Sequence, residues 1–281
     1  MLDNLLLRAR VAVPADSLRL LIAGRECGWL AADVPALLRG FASDYVLTAN
    51  SLHFVPHLAA AVSTSDQPLT AINLLLARVA AALSAAGRLS GWRDELLDVT
   101  DEQDRVVGVI ERAAVRPLGI ATHAVHLNAW TPDGEIWIAQ RALNKNTDPG
   151  MWDTLVGGLI SAGETPELAL GRESWEEAGL LPEHLVNSRR CGLFRVERVL
   201  PEGYQVEIVS VVDCVLDAGV VPVNQDGEVV AIRRAAPDEV LTMVGAGLFT
   251  LEAALSLLLS MESRGLSTGV NVDALRSLAR P

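Results

Sequence analysis

The chain has 281 residues, half of them hydrophobic, which is enough for a sizeable core and one or two domains. Lys and Arg number 23 against 35 Asp and Glu, and the net charge of -12 argues against a broad contact with nucleic-acid phosphates. A small phosphorylated ligand remains open, since it needs only a few local cations or a metal.

Residues 1–94 read as a mixed, largely helical α+β unit. LDNLLLRARV, VPALLRGF and INLLLARVAAALSAAG have helical spacing. YVLTANSLHFV, at 45–55, reads as a hairpin with Ala49-Asn50 near its turn. The start, MLDNLLLRARVAVPAD, is too interrupted for a secretory leader, and no membrane span is expected because no apolar run approaches about 18 residues. Cys27, Cys191 and Cys214 are far apart and odd in number, without zinc or disulfide spacing, so a reduced cytoplasmic setting is expected.

From 95 to 281 the texture changes to that of a second domain. LLDVTDEQDRVVGVIER alternates like a strand pair, and ATHAVHLNAW and EIWIAQRA form a hairpin bending at Asp133-Gly134. TLVGG then enters GGLISAGETPELALGRESWEEAGL. RCGLFRVERVL, YQVEIVSVVDCVL and EVVAIRRAA are further strands, and PDEVLTMV and TLEAALSLLLSMESRG are terminal helices. The order strands, helix, strands, helix implies an α/β or α+β sandwich rather than a Rossmann repeat. GAGLF at 245–249 lacks the dinucleotide pattern, and no P-loop occurs.

The segment 157–180 holds the chemistry. Thr165 is an N-cap, Pro166 suits the first helical position and Gly179 is a stop. Glu173, Glu176 and Glu177 fall within roughly 100° of one another on the helix. Leu168, Gly171, Trp175 and Ala178 share the other side and are expected to pack. Like charges at this spacing repel, and the C-terminal half of a helix disfavours anions. A hard cation such as Mg²⁺ would remove that penalty.

These residues resemble the Nudix box, G-x5-E-x7-R-E-U-x-E-E-x-G-U with U bulky and aliphatic. Gly158, Glu164, Arg172, Glu173, Glu176, Glu177, Gly179 and Leu180 match it, and Ser174 departs from the aliphatic position. The resemblance implies a Nudix α/β/α sandwich with a mixed sheet. It further implies a diphosphohydrolase using Mg²⁺, or Mn²⁺ in its place, in which water attacks a diphosphate linked to a moiety X. By that likeness Glu173 and Glu177 are the main metal ligands, with Glu176 direct or through water. Glu164 supports the cluster, Arg172 orients a glutamate, and the Gly157–Gly158 backbone approaches the metal.

The flanks are similar to the thiamine-diphosphokinase-associated Nudix subfamily, which carries R-S-x-x-K-x-x-x-P-G-x-x-D before the box. Arg141, Lys145, Pro149, Gly150 and Asp153 match, while Ala142 replaces the serine. Trp92, Arg93, Glu95, Glu111 and Arg112 also look like that group. The implied substrate is thiamine diphosphate or an oxidised or analogue form, cut to the monophosphate and phosphate by a stand-alone protein. ADP-ribose, another nucleotide diphosphate, or a non-catalytic module binding a diphosphate ligand are the alternatives. Isopentenyl diphosphate isomerase has a similar region but needs a cysteine that Thr154–Gly158 lacks.

Arg141 and Lys145 are candidate diphosphate clamps. Trp152 and Asp153 sit where a loop would cover the site, and Trp152 is either a stacking surface or a core residue. Glu228 and Glu207 are candidates for an extra base. The expected partner is a small-molecule diphosphate, with no nucleic acid and no membrane. The first 94 residues shape the pocket or make an oligomer contact, as in a homodimer.

Overall fold

A computed structural model describes residues 3–55, 67–145 and 147–278. Helix α1 (Asp3–Ala9) precedes a four-stranded sheet of β1 (Leu18–Ile22), β2 (Arg25–Leu30), β3 (Tyr45–Leu47) and β4 (Ser51–Phe54), with a short α2 (Val34–Leu37) between β2 and β3. Ala23 and Gly24 join β1 to β2 with φ of 49° and 81°, the doubly positive geometry that matches strand twist in a tight hairpin. β4 then adds parallel to β1, and β3 pairs antiparallel with β4, which is the hairpin expected at 45–55.

Helix α3 (Gln67–Ala85) covers this sheet. Ile72, Leu75, Leu76, Val79, Ala80 and Leu83 recur at helical spacing and are buried against Leu20, Ile22, Leu52 and Phe54. The hairpin β5 (Leu96–Thr100) and β6 (Val106–Glu111) adds Leu97, Val99, Val107 and Ile110 to the same cluster, which continues to Ile120. One apolar core therefore runs across residues 94 and 95. The first half is organised around a sheet, more than its helical spacing suggests. The alternation Leu18, Leu20, Ile22 carries that signal.

The rest is a mixed seven-stranded sheet. Its strands are β7 (Ala121–Trp130), β8 (Ile136–Arg141), β9 (Trp152–Thr154), β10 (Val156–Leu159), β11 (Arg189–Leu200), β12 (Gly203–Val215) and β13 (Val229–Ala235). The order is β11-β12-β7-β8-β13, with β10 also pairing β7 and β9 pairing β8. β12 runs parallel to β7, from Val206 opposite Ala121 to Val215 opposite Trp130. Alternation along β7 separates two faces. Val125, Leu127 and Ala129 pack on Ala169, Leu170 and Ala178 of α5 (Pro166–Ala178). Ala124 and Trp130 face the other layer, formed by α6 (Pro237–Gly245), α7 (Leu251–Ser263) and α8 (Val272–Ser277). This is the expected α/β sandwich with a mixed sheet.

A short helix α4 (Val115–Leu118) links the two cores. A Cβ on Gly119, at φ 58°, would stand 2.3 Å from the Trp29 carbonyl oxygen, and one on Gly203 would stand 2.2 Å from that of Arg116. Backbone thus lies on backbone at both ends of α4. Among the described residues, no helix is long and apolar enough to cross a membrane.

Candidate functional site

Local sequence sets α5 firmly. The Thr165 hydroxyl accepts the Leu168 N–H, and Gly179 ends the helix at φ 63° with its N–H on the carbonyls of Ser174 and Trp175. The buried face is Ala169, Leu170, Ser174, Glu177 and Ala178. Ala178 packs as expected, but the rest of the expected packing side does not. Leu168 and Trp175 are 62% and 49% exposed, whereas Ser174 is fully buried. The serine at the box's aliphatic position is small enough for the helix to sit close to β10, and its hydroxyl finds no partner there.

That close seat brings the glutamates to bare backbone. Glu177 Oε2 accepts the Gly157 N–H at 2.8 Å. A Cβ on Gly158 would fall 2.0 Å from the Glu173 carboxyl carbon. Arg172 ties the remaining acids together. Its Nε and Nη2 reach the two oxygens of Glu164 at 2.9 and 2.8 Å, and its Nη1 reaches Glu173 at 2.7 Å and Glu176 at 3.3 Å. Its Nη2 also donates to the Leu159 carbonyl at 3.2 Å. Glu176 is the most exposed of these carboxylates and sits at the rim.

The electrostatics follow the geometry. The Arg172 fork holds the Glu164 carboxyl below its usual range. Burial raises Glu173 despite its contact with Arg172. Burial pushes Glu177 up to about 8, against the Gly157 N–H, and the charge of Glu173 adds to the rise. Two carboxylates held side by side against a strand without side chains offer hard oxygen donors to Mg²⁺ or Mn²⁺. Among the described residues no three His, Cys, Asp or Glu side chains form a metal cage by themselves. Mg²⁺ is commonly held by one or two carboxylates, with water and phosphate filling the other positions, so the pair fits that role.

Beside this cluster opens a cleft of about 180 Å³, with Gly157 and Gly158 on one wall. Arg141 and Asp153 line it, joined at 3.1 Å, and Arg141 also donates to the Thr147 carbonyl. Glu207 lines it from β12 and accepts from Thr122 at 3.3 Å and Gln205 at 3.2 Å. Burial and the nearby Glu252 push the Glu207 carboxyl up to about 7. Lys145 and Glu228 pair with each other, and neither is among the residues that line the cleft; Glu228 is about half exposed. Trp152 is not brought to the cleft. Its ring carries the Arg233 guanidinium 4.8 Å from its centroid and packs on the main core.

Several cleft residues carry no motif of their own. Arg198 and Gln205 are cross-strand partners on β11 and β12, and both contact Glu252 in the first turn of α7. Arg93 and Arg112, which the flanking resemblance singles out, and Arg116, which it does not, enter from the segment before β7. Only the pairing of distant strands and the seat of α4 make them neighbours.

Comparison with known proteins agrees with this architecture. A family model described as NUDIX domain matches residues 121–253, and one described as a domain of unknown function, DUF4743, matches residues 8–122. An uncharacterised Nudix hydrolase of Pseudomonas aeruginosa is 36% identical over 127 residues, covering 41% of this chain and 75% of that protein. An uncharacterised Nudix hydrolase of Streptomyces coelicolor is 38% identical over 86 residues, covering 31% of this chain and 48% of that protein. Chloroplastic Nudix hydrolase 20 of Arabidopsis thaliana is 31% identical over 175 residues, covering 60% and 46%. The chain thus spans about half the length of these last two relatives. Its box, its sandwich and a relative matched over three quarters of its length make this chain a member of the Nudix hydrolase family.

Proposed function

We infer that the chain is a divalent-metal-dependent diphosphohydrolase acting on a small molecule in which a diphosphate is joined to a moiety X. The observation that carries this reading is the buried pair Glu173 and Glu177, laid on Gly157 and Gly158 at the edge of an arginine-lined cleft. Glu173 and Glu177 hold the cation, with Glu176 at the rim. Glu164 and Arg172 keep the pair in place. A divalent cation bound there would neutralise phosphate charge and acidify water.

The chain's own groups do the rest. Arg141 and Lys145 orient the diphosphate. Water forms a new bond to phosphorus as the bridging P–O bond breaks, releasing phosphate and the X-monophosphate. Glu207 is the better-supported acceptor for the water's proton, because it lines the cleft and its carboxyl titrates near neutrality. Glu228 is engaged with Lys145. For X, thiamine or an oxidised form of it is our reading, and it rests on the likeness of the flanks, Arg141, Lys145, Pro149, Gly150 and Asp153 with Trp92, Arg93, Glu95, Glu111 and Arg112. A cytoplasmic setting and a homodimer belong to the same reading.

Product release with Mg²⁺, read by chromatography, tests it: phosphate and the monophosphate from thiamine diphosphate, an oxidised thiamine diphosphate or a nucleoside diphosphate, and AMP with ribose 5-phosphate from ADP-ribose. Glu177→Gln should lower turnover by roughly three orders of magnitude, about 4 kcal/mol of barrier, with the fold intact. Release from ADP-ribose alone, lost in the variant, removes thiamine as X and keeps the chemistry. Wild-type turnover in Glu177→Gln removes the site assignment. No release from any compound favours a binding module.

A further inference from the structure

The segment before β7 reaches the cleft with Arg93, Arg112 and Arg116; an acid pairs with the Arg112 side chain and another holds the backbone at Arg93. Glu95 and Arg112 flank the open end of the β5–β6 hairpin, where the Arg112 N–H donates to the Glu95 carbonyl at 2.8 Å. Their side chains pair through Arg112 Nη1 at 2.7 Å. The buried Glu111 accepts the backbone N–H of Arg93 at 2.8 Å and that of Ala113 at 3.3 Å. The chain is thereby fixed at Arg93 and about Arg112, and both arginines line the cleft with Gly157 and Gly158.

The same hairpin grips the loop between β10 and α5. Ala162 N–H donates to the Leu96 carbonyl at 2.8 Å and Gly163 N–H to Asp98 at 3.2 Å. The Ser161 hydroxyl donates to Glu95 at 3.0 Å, and the Ser161 N–H donates to Glu164 at 3.0 Å. Since Glu164 holds Arg172, which holds Glu173, hydrogen bonds run unbroken from Arg112 to the box. Arg112 also adds its charge to a site where other cations gather. Burial pushes the nearby Lys145 amine down, Glu177 and Asp226 oppose that, and Arg141 and Arg112 add to it. Cations brought to one cleft from separate elements suit a ligand that carries its own negative charge.

We propose that the segment 90–116 completes the diphosphate site, with Arg112 and Arg93 contacting phosphate oxygens and Glu95 acting as a positioning residue for Arg112. The proposal deepens the diphosphohydrolase reading and rests on it. It gives the region matched by the family of unknown function a task in the reaction.

The test is calorimetric titration of the full chain with methylene diphosphonate, a diphosphate that cannot be hydrolysed, in the presence of Mg²⁺. Arg112→Ala should weaken binding at least tenfold with an unchanged melting temperature, since the side chain is substantially exposed. Arg112→Lys should recover part of the loss, and Arg93→Ala should also weaken binding. Glu95→Gln should weaken binding severalfold in the wild type and much less in the Arg112→Ala background, because it acts through that arginine. Arg112→Ala and Arg93→Ala both binding within twofold of wild type would overturn the proposal while leaving the hydrolase reading intact. A Glu95→Gln effect of equal size in both backgrounds would overturn the positioning role. Failure of the wild type to bind the probe would overturn the hydrolase reading and this proposal with it.

Discussion

Glu173 lies with its carboxyl carbon 2.0 Å from where a Cβ of Gly158 would stand, so its carboxylate rests on strand β10 only because that residue has no side chain. The obstructing group is the far end of a flexible side chain. Gly158→Ala should therefore keep the fold and displace Glu173, lowering turnover at least tenfold with little change in melting temperature. Gly119→Ala meets the Trp29 carbonyl oxygen at 2.3 Å and a φ of 58°. Backbone cannot swing aside, so it should cost on the order of 3 kcal/mol of stability. Denaturant melts and turnover on both variants check the contrast; a Gly158→Ala enzyme of wild-type activity would remove Glu173 from the site.

The fork between Arg172 and Glu164 orients the pair that would hold metal without being part of it. Glu164→Gln keeps the shape and loses the charge. Affinity for Mn²⁺, read by electron paramagnetic resonance, should fall by roughly 10–100-fold, as for other groups that orient metal ligands. Unchanged affinity would make the fork a purely structural clasp.

Glu207 gives a pH dependence of definite sign. Its folded carboxyl is raised from 4.5 to about 7, mainly by burial. Below 4.5 both folded and unfolded chains hold the proton, and the group's contribution is complete. Between 4.5 and 7 the unfolded chain releases it while the folded chain keeps it, so that contribution fades as pH rises. Denaturation midpoints measured across this window should fall with pH less steeply in Glu207→Gln than in wild type. Identical slopes would mean that Glu207 ionises freely in the fold.

Trp152 supports the sheet instead of the ligand. Its N–H donates to the Leu248 carbonyl and its carbonyl accepts from Thr250, which fixes the loop leading into α7. Trp152→Ala should lower stability by about 3 kcal/mol and leave KM unchanged. A raised KM with an unchanged melting temperature would return Trp152 to the substrate.

What is legible in the sequence is local. The box spacing, the caps of α5 and the strands from β5 onward depend on neighbours a few residues apart. The orientation of α5 is not legible in the same way, because large apolar residues point to the wrong side of it. The inward face joins Leu170 to the small and acidic Ala169, Ser174, Glu177 and Ala178, and Leu168 and Trp175 are left outside. Trp152 and Asp153 are adjacent in sequence, yet neighbours on a strand face opposite ways, so only Asp153 reaches the cleft. Arg116, Arg198 and Glu252 lack any local signal, because separate elements bring them together.

Helix α1 has a consequence for how the chain comes into being. Leu5 and Ala9 are buried with Phe194, Val196 and Leu255, and the Val11 carbonyl takes the Tyr204 hydroxyl at 2.7 Å. This helix thus has its partners far along the chain, on β11 and α7. It waits, unpacked, while the intervening segments are made, and its docking is a late, long-range event in folding. A polypeptide trimmed at its start would lose a piece of the last core to close.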